Sequence, residues 1–576
     1  MTSYNRSIPS QTWYLAWGID TFQQKATWQE QNIAIFTQHS EPNLQISFSP
    51  SQRFVVTGEA WISDRKALLQ ADRKALLQEY SPETLTDLQL IARAWEGWGV
   101  ATLNKIVGVF AIAVWDRERQ ILWLGRDRTG AKTLYYTTSG TTRWAAPDLR
   151  SLAPHHSQDI DLVALRDYLC CGFVAGSRTM WQQVRELRPG TILSLPEAQI
   201  QTYWQLQEGI NTDNSLAEKP SLEWYGKQLR SLLEQVVKEY LPGSQPVGVF
   251  LSGGLDSSII TALATQFHTA PIHTYSIHFG EKSPNELEFS SLVAKHCATQ
   301  HHILEISFRQ MWQQLPETMK CLDDPIGDPL TVPNLLLGKL AKQSVEIVLN
   351  GEGGDPCFGG PKNQPMLINQ LYGTVTQQDS VQAYLLAFQK CASDLPQLLK
   401  PEIWQTVQQQ PYIFTKELQS DFSYLNRLMV LNIKYKGADQ ILTKVNNLTN
   451  AVGLQGRSPL FDQRIVEQSL QIPPEYKLSG VQEKAVLKQA VADLLPPQIV
   501  HRPKSGMMVP VQMGFREHWQ RQAKALLLNR KAAIAPYLNQ ALIRDWLSYR
   551  GDTWSRYGVK LWLLTSLEIW LQVNRK

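Results

Sequence analysis

The stretch V-G-V-F-L-S-G-G-L-D-S-S, from Val247 to Ser258, decides the fold. It opens as a short apolar, β-branched run, the pattern of a strand buried on both faces of a parallel sheet. Gly253 and Gly254 break the run, and a helical pattern resumes at Ser257 with S-S-I-I-T-A-L-A-T-Q-F. A strand, a glycine turn and a helix N-terminus gather free backbone N–H groups and a positive dipole end, which together favour an anion. The loop adds the hydroxyls of Ser252, Ser257 and Ser258 and one carboxylate, Asp256. Hydroxyls donate to phosphate oxygens. A carboxylate among them makes chemical sense when a cation such as Mg2+ stands between. The loop has no lysine, so it is not the G-x-x-x-x-G-K-[ST] loop of kinases and GTPases. The plain alternative is a glycine turn capped by hydroxyls.

Strand and helix patterns alternate on both sides of this loop. Upstream, Trp224, Leu229, Leu232, Leu233, Val236, Val237 and Tyr240 form one apolar stripe of an amphipathic helix. Downstream come strands at Ile272–Phe279, His301–Ile306 and Val345–Asn350, with helices at Glu286–Cys297 and Val332–Lys342. This is an α/β pattern with a parallel sheet, and its ligands belong at the carboxyl ends of the strands. The loops after residues 252, 279 and 350 therefore face one crevice. The third of them, N-G-E-G-G-D-P-C-F-G-G-P (350–361), brings Glu352 and Asp355. Asp256 and a second carboxylate, with phosphate oxygens and waters, complete the octahedron that Mg2+ demands. His301 and His302 are adjacent on a strand and point to opposite faces, which argues against a metal pair.

Residues 1–205 read differently. Short strands at Gln31–Thr37, Arg53–Gly58, Ile106–Trp115 and Ile121–Gly125 are separated by polar turns, and D-R-E-R-Q between the last two predicts a hairpin. Helical stretches are fewer, at Thr84–Gly97 and Asp161–Cys170, so the region reads as an α+β layered domain. D-R-K-A-L-L-Q occurs twice, at 64–70 and 72–78. It reads as a lengthened surface helix or loop without function. Polar residues 208–220 read as a linker between a domain at 1–207 and another at 221–576.

Composition excludes several classes. At 576 residues the chain exceeds one core. Basic and acidic side chains nearly balance at 56 and 52, which argues against a nucleic-acid or membrane surface. The six cysteines are scattered with no C-x-x-C, as expected of a reduced, cytoplasmic protein without structural zinc. No signal-peptide core opens the sequence. The most apolar run, Ile106–Trp115, is about half of a membrane span.

S-G-G-x-D-S resembles the pyrophosphate loop of the N-type ATP pyrophosphatases, which split ATP between its α and β phosphates. W-D-R-E-R-Q-I-L-W-L-G-R-D-R-T-G-A-K-T-L-Y-Y (115–136), W-E-G-W-G (95–99), G-F-V-A-G-S-R-T-M (172–180) and V-R-E-L-R-P-G (184–190) resemble the glutaminase-type (Ntn-type) domain of asparagine synthetases. The acidic loop at 350–361 is similar to that family's G-E-G-x-D-E-x-F-G-G, with Pro356 in place of the second acid. L-T-K-V-N-N-L-T-N-A-V-G-L-Q-G-R-S-P-L-F-D (442–462) and H-R-P-K-S-G-M-M-V-P-V (501–511) continue the likeness. The resemblance implies an ATP site of Leu251, Ser252, Gly253, Gly254, Asp256, Ser257 and Ser258, with Ser276, Ile277, Gly351 and Gly353. It implies Asp256 and Asp355 as Mg2+ ligands, Glu352 near the reacting carboxylate, and Lys504 as the lysine steadying pyrophosphate and the oxyanion.

Departures from the family bear on the nitrogen source. Residue 2 is Thr where the family has its glutamine-attacking cysteine, and T-G-E-A-W (57–61) stands where its oxyanion Asn-Gly belongs. The first domain is therefore expected to lack glutaminase activity. The family's Asp-Arg after the lysine is Val445-Asn446, which argues against free aspartate as substrate. G-G-P-K-N-x-P-M-L (359–367) and R-P-K-S-G-M (502–507) resemble the macrolactam-forming cyclases of lasso peptide biosynthesis. That resemblance implies ATP-dependent ring closure of a ribosomal precursor peptide, with a partner protease and a leader-binding protein. The alternatives are an ammonia-dependent asparagine synthetase, a β-lactam synthetase-like enzyme, which would carry tyrosine at Glu352, and a nucleotide-binding protein without turnover.

Overall fold

The computed structural model describes residues 13–575 apart from 19–25, 31, 38–45, 64, 66–84, 210–219, 281–282, 284, 361–378, 480–481, 503–507 and 550–556. The chain forms two compact units, one of Met1–Asp159 with Gly176–Gln205, the other of Ile160–Ala175 with Leu206–Lys576.

The first unit is a sandwich of two six-stranded antiparallel sheets. The strands are β1 (Trp13–Trp17), β2 (Trp28–Glu30), β3 (Ile33–Thr37), β4 (Ile46–Phe48), β5 (Phe54–Ile62), β6 (Gly108–Asp116), β7 (Ile121–Arg126), β8 (Tyr135–Ser139), β9 (Thr142–Ala146), β10 (Arg185–Glu186), β11 (Thr191–Leu195) and β12 (Gln199–Thr202). They run β10-β8-β9-β1-β3-β2 in one sheet and β12-β11-β7-β6-β5-β4 in the other. Between the sheets, Trp13, Leu15 and Ile35 meet Ala111, Ala113, Trp115 and Leu193. On the far side of β6, Phe110, Ile112 and Val114 pack with Leu90, Ile91 and Trp95 of helix α1 (Asp87–Trp98). Burial on both faces explains why β6 is apolar without alternation. The expected hairpin forms at Asp116–Gln120, with Asp116 opposite Ile121. The duplicated heptad lies outside the described residues except Arg65, which pairs with Asp87 at the head of α1.

One helix read within the first stretch belongs elsewhere. Helix α2 (Leu162–Cys171) is part of the second unit. Tyr168 donates to the Leu563 carbonyl at 2.9 Å. Fully buried Arg166 donates to the carbonyls of Val407 and Gln410 at 3.0 and 2.6 Å and stacks on Tyr412. Sequence position alone could not show that these donors are spent on carbonyls more than two hundred residues away.

The second unit is built on a five-stranded parallel sheet ordered β15-β14-β13-β16-β17. Its strands are β13 (Val247–Phe250), β14 (Ile272–His278), β15 (Gln300–Glu305), β16 (Ile347–Leu349) and β17 (Gln455–Arg457). The opening strand is central, and all carboxyl ends lie along one edge. The edge strand β17 carries only Q-G-R and gives no periodic signal. Helix α3 (Leu222–Tyr240) forms with its stripe shifted by one residue at the start: Tyr225 is buried and Trp224 is 48% exposed. Helix α4 (Leu255–Phe267) follows β13, and α5 (Leu287–His296) and α6 (Thr331–Ala341) fall where the pattern put them. The last helix, Tyr557–Asn574, is a packing helix, with every residue from Leu561 to Leu571 buried. Its fully buried Glu568 accepts from the N–H groups of Ala533 and Ile534, 2.9 Å each. The two adjacent histidines find separate partners, His301 with Thr274 and His302 with His273. All six cysteines are free thiols, and no helix among the described residues is long and apolar enough to cross a membrane.

Candidate active site

The carboxyl end of β13 runs through Leu251 and Ser252 into the glycine turn. Leu251 is tied to β14, its N–H donating to the Tyr275 carbonyl at 2.9 Å and its carbonyl accepting from Ser276 Oγ at 2.5 Å. Ile277 is buried in β14 beyond it. Gly253 has φ of +80°, and a Cβ there would stand 2.6 Å from the Ser290 nitrogen, so only glycine fits. Gly254 caps α4 with no side chain bonded to the helix end. That leaves the first-turn N–H groups and the dipole pointing into the crevice.

The three hydroxyls are spent on the loop itself. Ser257 Oγ accepts from the Ser252 N–H at 3.2 Å, lies 3.1 Å from Ser252 Oγ and donates to the Gly254 carbonyl. Ser258 is fully buried and donates to the same carbonyl at 2.7 Å. They hold the turn's shape.

The second loop is pressed onto the first. A Cβ on Gly351 would lie 2.4 Å from the Ser257 nitrogen, and one on Gly354 would lie 2.2 Å from Asp256 Cγ. Gly353, with φ of +115°, turns the chain against Leu460 into the short helix α7 (Gly354–Phe358), whose first turn carries Asp355. The glycines thus let two backbones meet so that two acids come together.

Asp256 and Asp355 converge on a residue that the sequence reading did not single out, Lys484. Its Nζ lies 2.7 and 2.6 Å from the two oxygens of Asp256 and 2.6 Å from Oδ1 of Asp355. Burial disfavours the ammonium, but Asp256 and then Asp355 outweigh it and hold the lysine above its ordinary pKa. Two carboxylates aimed at one point fit a small, hard divalent cation that completes its shell with water and phosphate oxygen. Among the described residues no group of three or more His, Cys, Asp or Glu offers a richer metal site. Nothing local marks Lys484 in V-Q-E-K-A-V-L-K. It precedes helix α8 (Ala485–Val491) in a left-handed conformation, φ 55°.

Glu352 is half-buried, its N–H donating to Asn350 Oδ1 at 3.0 Å. Its charge, after that of Asp328, holds buried Lys444 above its ordinary pKa against the cost of burial. Val445 and Asn446 follow Lys444 on the helix Thr443–Ala451. Lys504 lies outside the described residues, as does most of 359–367. Arg502, two residues before Lys504, pairs with Glu286, stacks on Phe289 and donates to the Gly253 carbonyl at 3.3 Å.

Sequence comparison places this crevice in a family. The asparagine synthase profile matches residues 228–572, spanning every residue of the crevice, and a glutamine amidotransferase domain profile matches 54–204. The class so defined is that of the ATP-dependent carbon–nitrogen ligases. The chain belongs to the asparagine synthase family. It is 25% identical to Asparagine synthetase [glutamine-hydrolyzing] 1 of Bacillus subtilis over 86% of this chain and 82% of that one. Asparagine synthetase [glutamine-hydrolyzing] 3 of the same organism is 27% identical, with 73% and 70% covered. Asparagine synthetase B of Escherichia coli is 23% identical, with 76% and 67% covered.

Proposed function

We propose that this ligase joins a peptide carboxylate to an amine of the same peptide, closing a lasso-type macrolactam. The observation that carries the reading is Val445-Asn446 directly after Lys444, in the neighbourhood of Glu352. An apolar side chain and a neutral amide stand where the family carries Asp-Arg, and a segment without those charges suits a larger, less charged acceptor than free aspartate. The loop likenesses at 359–367 and 502–507 support the same reading. The stretch T-G-E-A-W lies within β5, paired residue by residue with β6, and Glu59 forms an ion pair with Lys132. This supports a first unit without glutaminase chemistry.

In this reading the turn at Gly253 and the head of α4 hold the phosphate chain, while Ser252, Ser257 and Ser258 stiffen the turn. Asp256 and Asp355 would hold Mg2+, which neutralises the pyrophosphate as it leaves. The substrate carboxylate attacks the α-phosphorus, the bond to the β-phosphate breaks, and pyrophosphate departs. Glu352 then takes the proton of the attacking amine, the amide forms, and AMP leaves. Lys504 steadies the developing oxyanion. A precursor peptide, with a protease to free its amine and a leader-binding protein to present it, are the implied partners. Six free thiols favour a reducing compartment such as the cytoplasm.

The relatives, named as glutamine-hydrolyzing asparagine synthetases, favour a second reading, conversion of aspartate to asparagine, for which Thr2 in place of the cysteine would leave ammonia as the nitrogen source. Purified protein with Mg-ATP separates the two. AMP release with loss of one water from a leader-processed peptide supports the cyclase. Asparagine formed from aspartate and ammonia overturns it.

A further inference from the structure

The point on which Asp256 and Asp355 converge is already taken by a cation. Three carboxylate oxygens lie within 2.7 Å of Lys484 Nζ, and the lysine side chain is 2% exposed, against 15% and 32% for the two aspartates. A divalent ion bound by both acids would sit at about 2.0–2.1 Å from their oxygens. That is the ground the ammonium now holds, and the two positive charges repel.

We propose that Lys484 is the resident counter-ion of this acid pair, and that it makes metal entry depend on nucleotide. The inference rests on the reading of Asp256 and Asp355 as Mg2+ ligands. Facing carboxylates with no cation between them would repel. Lys484 Nζ, within 2.7 Å of both, offsets that repulsion. It also lowers the charge of the pair from two negatives to one, which weakens attraction for a lone divalent ion. To admit the metal, the ammonium must give up its partners, and a buried ammonium does so only for another anion. The phosphate chain of ATP is that anion. Metal therefore enters with the nucleotide, and Lys484 is a positioning residue for the pair.

Mn2+ binding to the whole chain, read by electron paramagnetic resonance, tests this without turnover. The parent protein is expected to hold one Mn2+ per chain with α,β-methylene-ATP and to bind it at least tenfold more weakly without nucleotide. Lys484→Met, nearly equal in length and uncharged, is expected to bind Mn2+ at least tenfold tighter than the parent in the absence of nucleotide. Lys484→Gln serves if the methionine variant does not fold. One Mn2+ bound tightly by the parent without nucleotide overturns the proposal, as does an unchanged affinity in the neutral variants. Asp256→Asn with the analogue present separates the two readings. Mn2+ lost there, with Lys484→Met unchanged, overturns the counter-ion role alone. Mn2+ retained there overturns the ligand assignment beneath it.

Discussion

Lys444 and Asp328 form a buried ion pair, Nζ to Oδ2 at 2.8 Å, with the lysine side chain 4% exposed. Burial opposes the charge on Asp328, but Lys444 outweighs it and holds the carboxyl well below its usual range. Asp328→Asn leaves the ammonium with only the charge of Glu352 to offset its burial and is expected to cost about 3 kcal/mol. Because the folded pKa is depressed, the stabilisation is full above the ordinary carboxyl value of about 4 and fades as pH falls below it. Urea unfolding from pH 7 down to pH 3 checks both points: the gap between parent and variant narrows toward acid.

Glu352→Gln removes a base and keeps the shape. Amide formation is expected to fall by roughly 10²–10⁴, while adenylation, read as pyrophosphate exchange into ATP, stays within a few-fold. Equal loss of both activities would assign Glu352 to the first step instead.

Arg502 links Glu286, Phe289 and the Gly253 carbonyl through one planar group. Lysine cannot reproduce the stack and the fork together. Arg502→Lys is expected to weaken ATP binding by roughly 10- to 100-fold, the worth of a charge-assisted hydrogen bond, with little change in melting temperature. Titration with ATP analogues checks it.

Lys477 is fully buried and donates to Asn426 Oδ1 at 2.7 Å. Burial pulls its pKa down to about 7, with Glu208 the chief opposing charge. The unfolded chain therefore binds more protons between about pH 7 and the ordinary lysine value, so stability rises with pH across that window. Lys477→Met is expected to flatten that part of the profile, as read from unfolding midpoints between pH 7 and 10.

The parallel sheet and the crevice were legible because β-branched runs, glycine turns and helical stripes are local signals. Asp256 and Asp355 could be placed together because both follow strands whose carboxyl ends must share an edge. Lys484 was not legible: it reaches Asp256 from 228 residues away and Asp355 from more than a hundred, and its left-handed backbone leaves no mark in V-Q-E-K. Trp224 and Tyr225 show the limit of periodicity, since neighbouring aromatics on one helix differ by a rotation that only packing decides. The all-round burial of Leu561–Leu571 has no local signal, because Thr565, Ser566 and Glu568 interrupt the apolar pattern and are nonetheless buried.

Helix α2 bears on how the protein can be divided. The chain leaves the sandwich at Ile160, donates Arg166 and Tyr168 to the ligase unit, and returns to the sandwich at Gly176. A polypeptide started after residue 207 would leave the carbonyls of Val407, Gln410 and Leu563 without these donors. The two halves are thus not separable modules strung on a tether. A gene segment cut at the linker would take with it a helix that completes the ligase core.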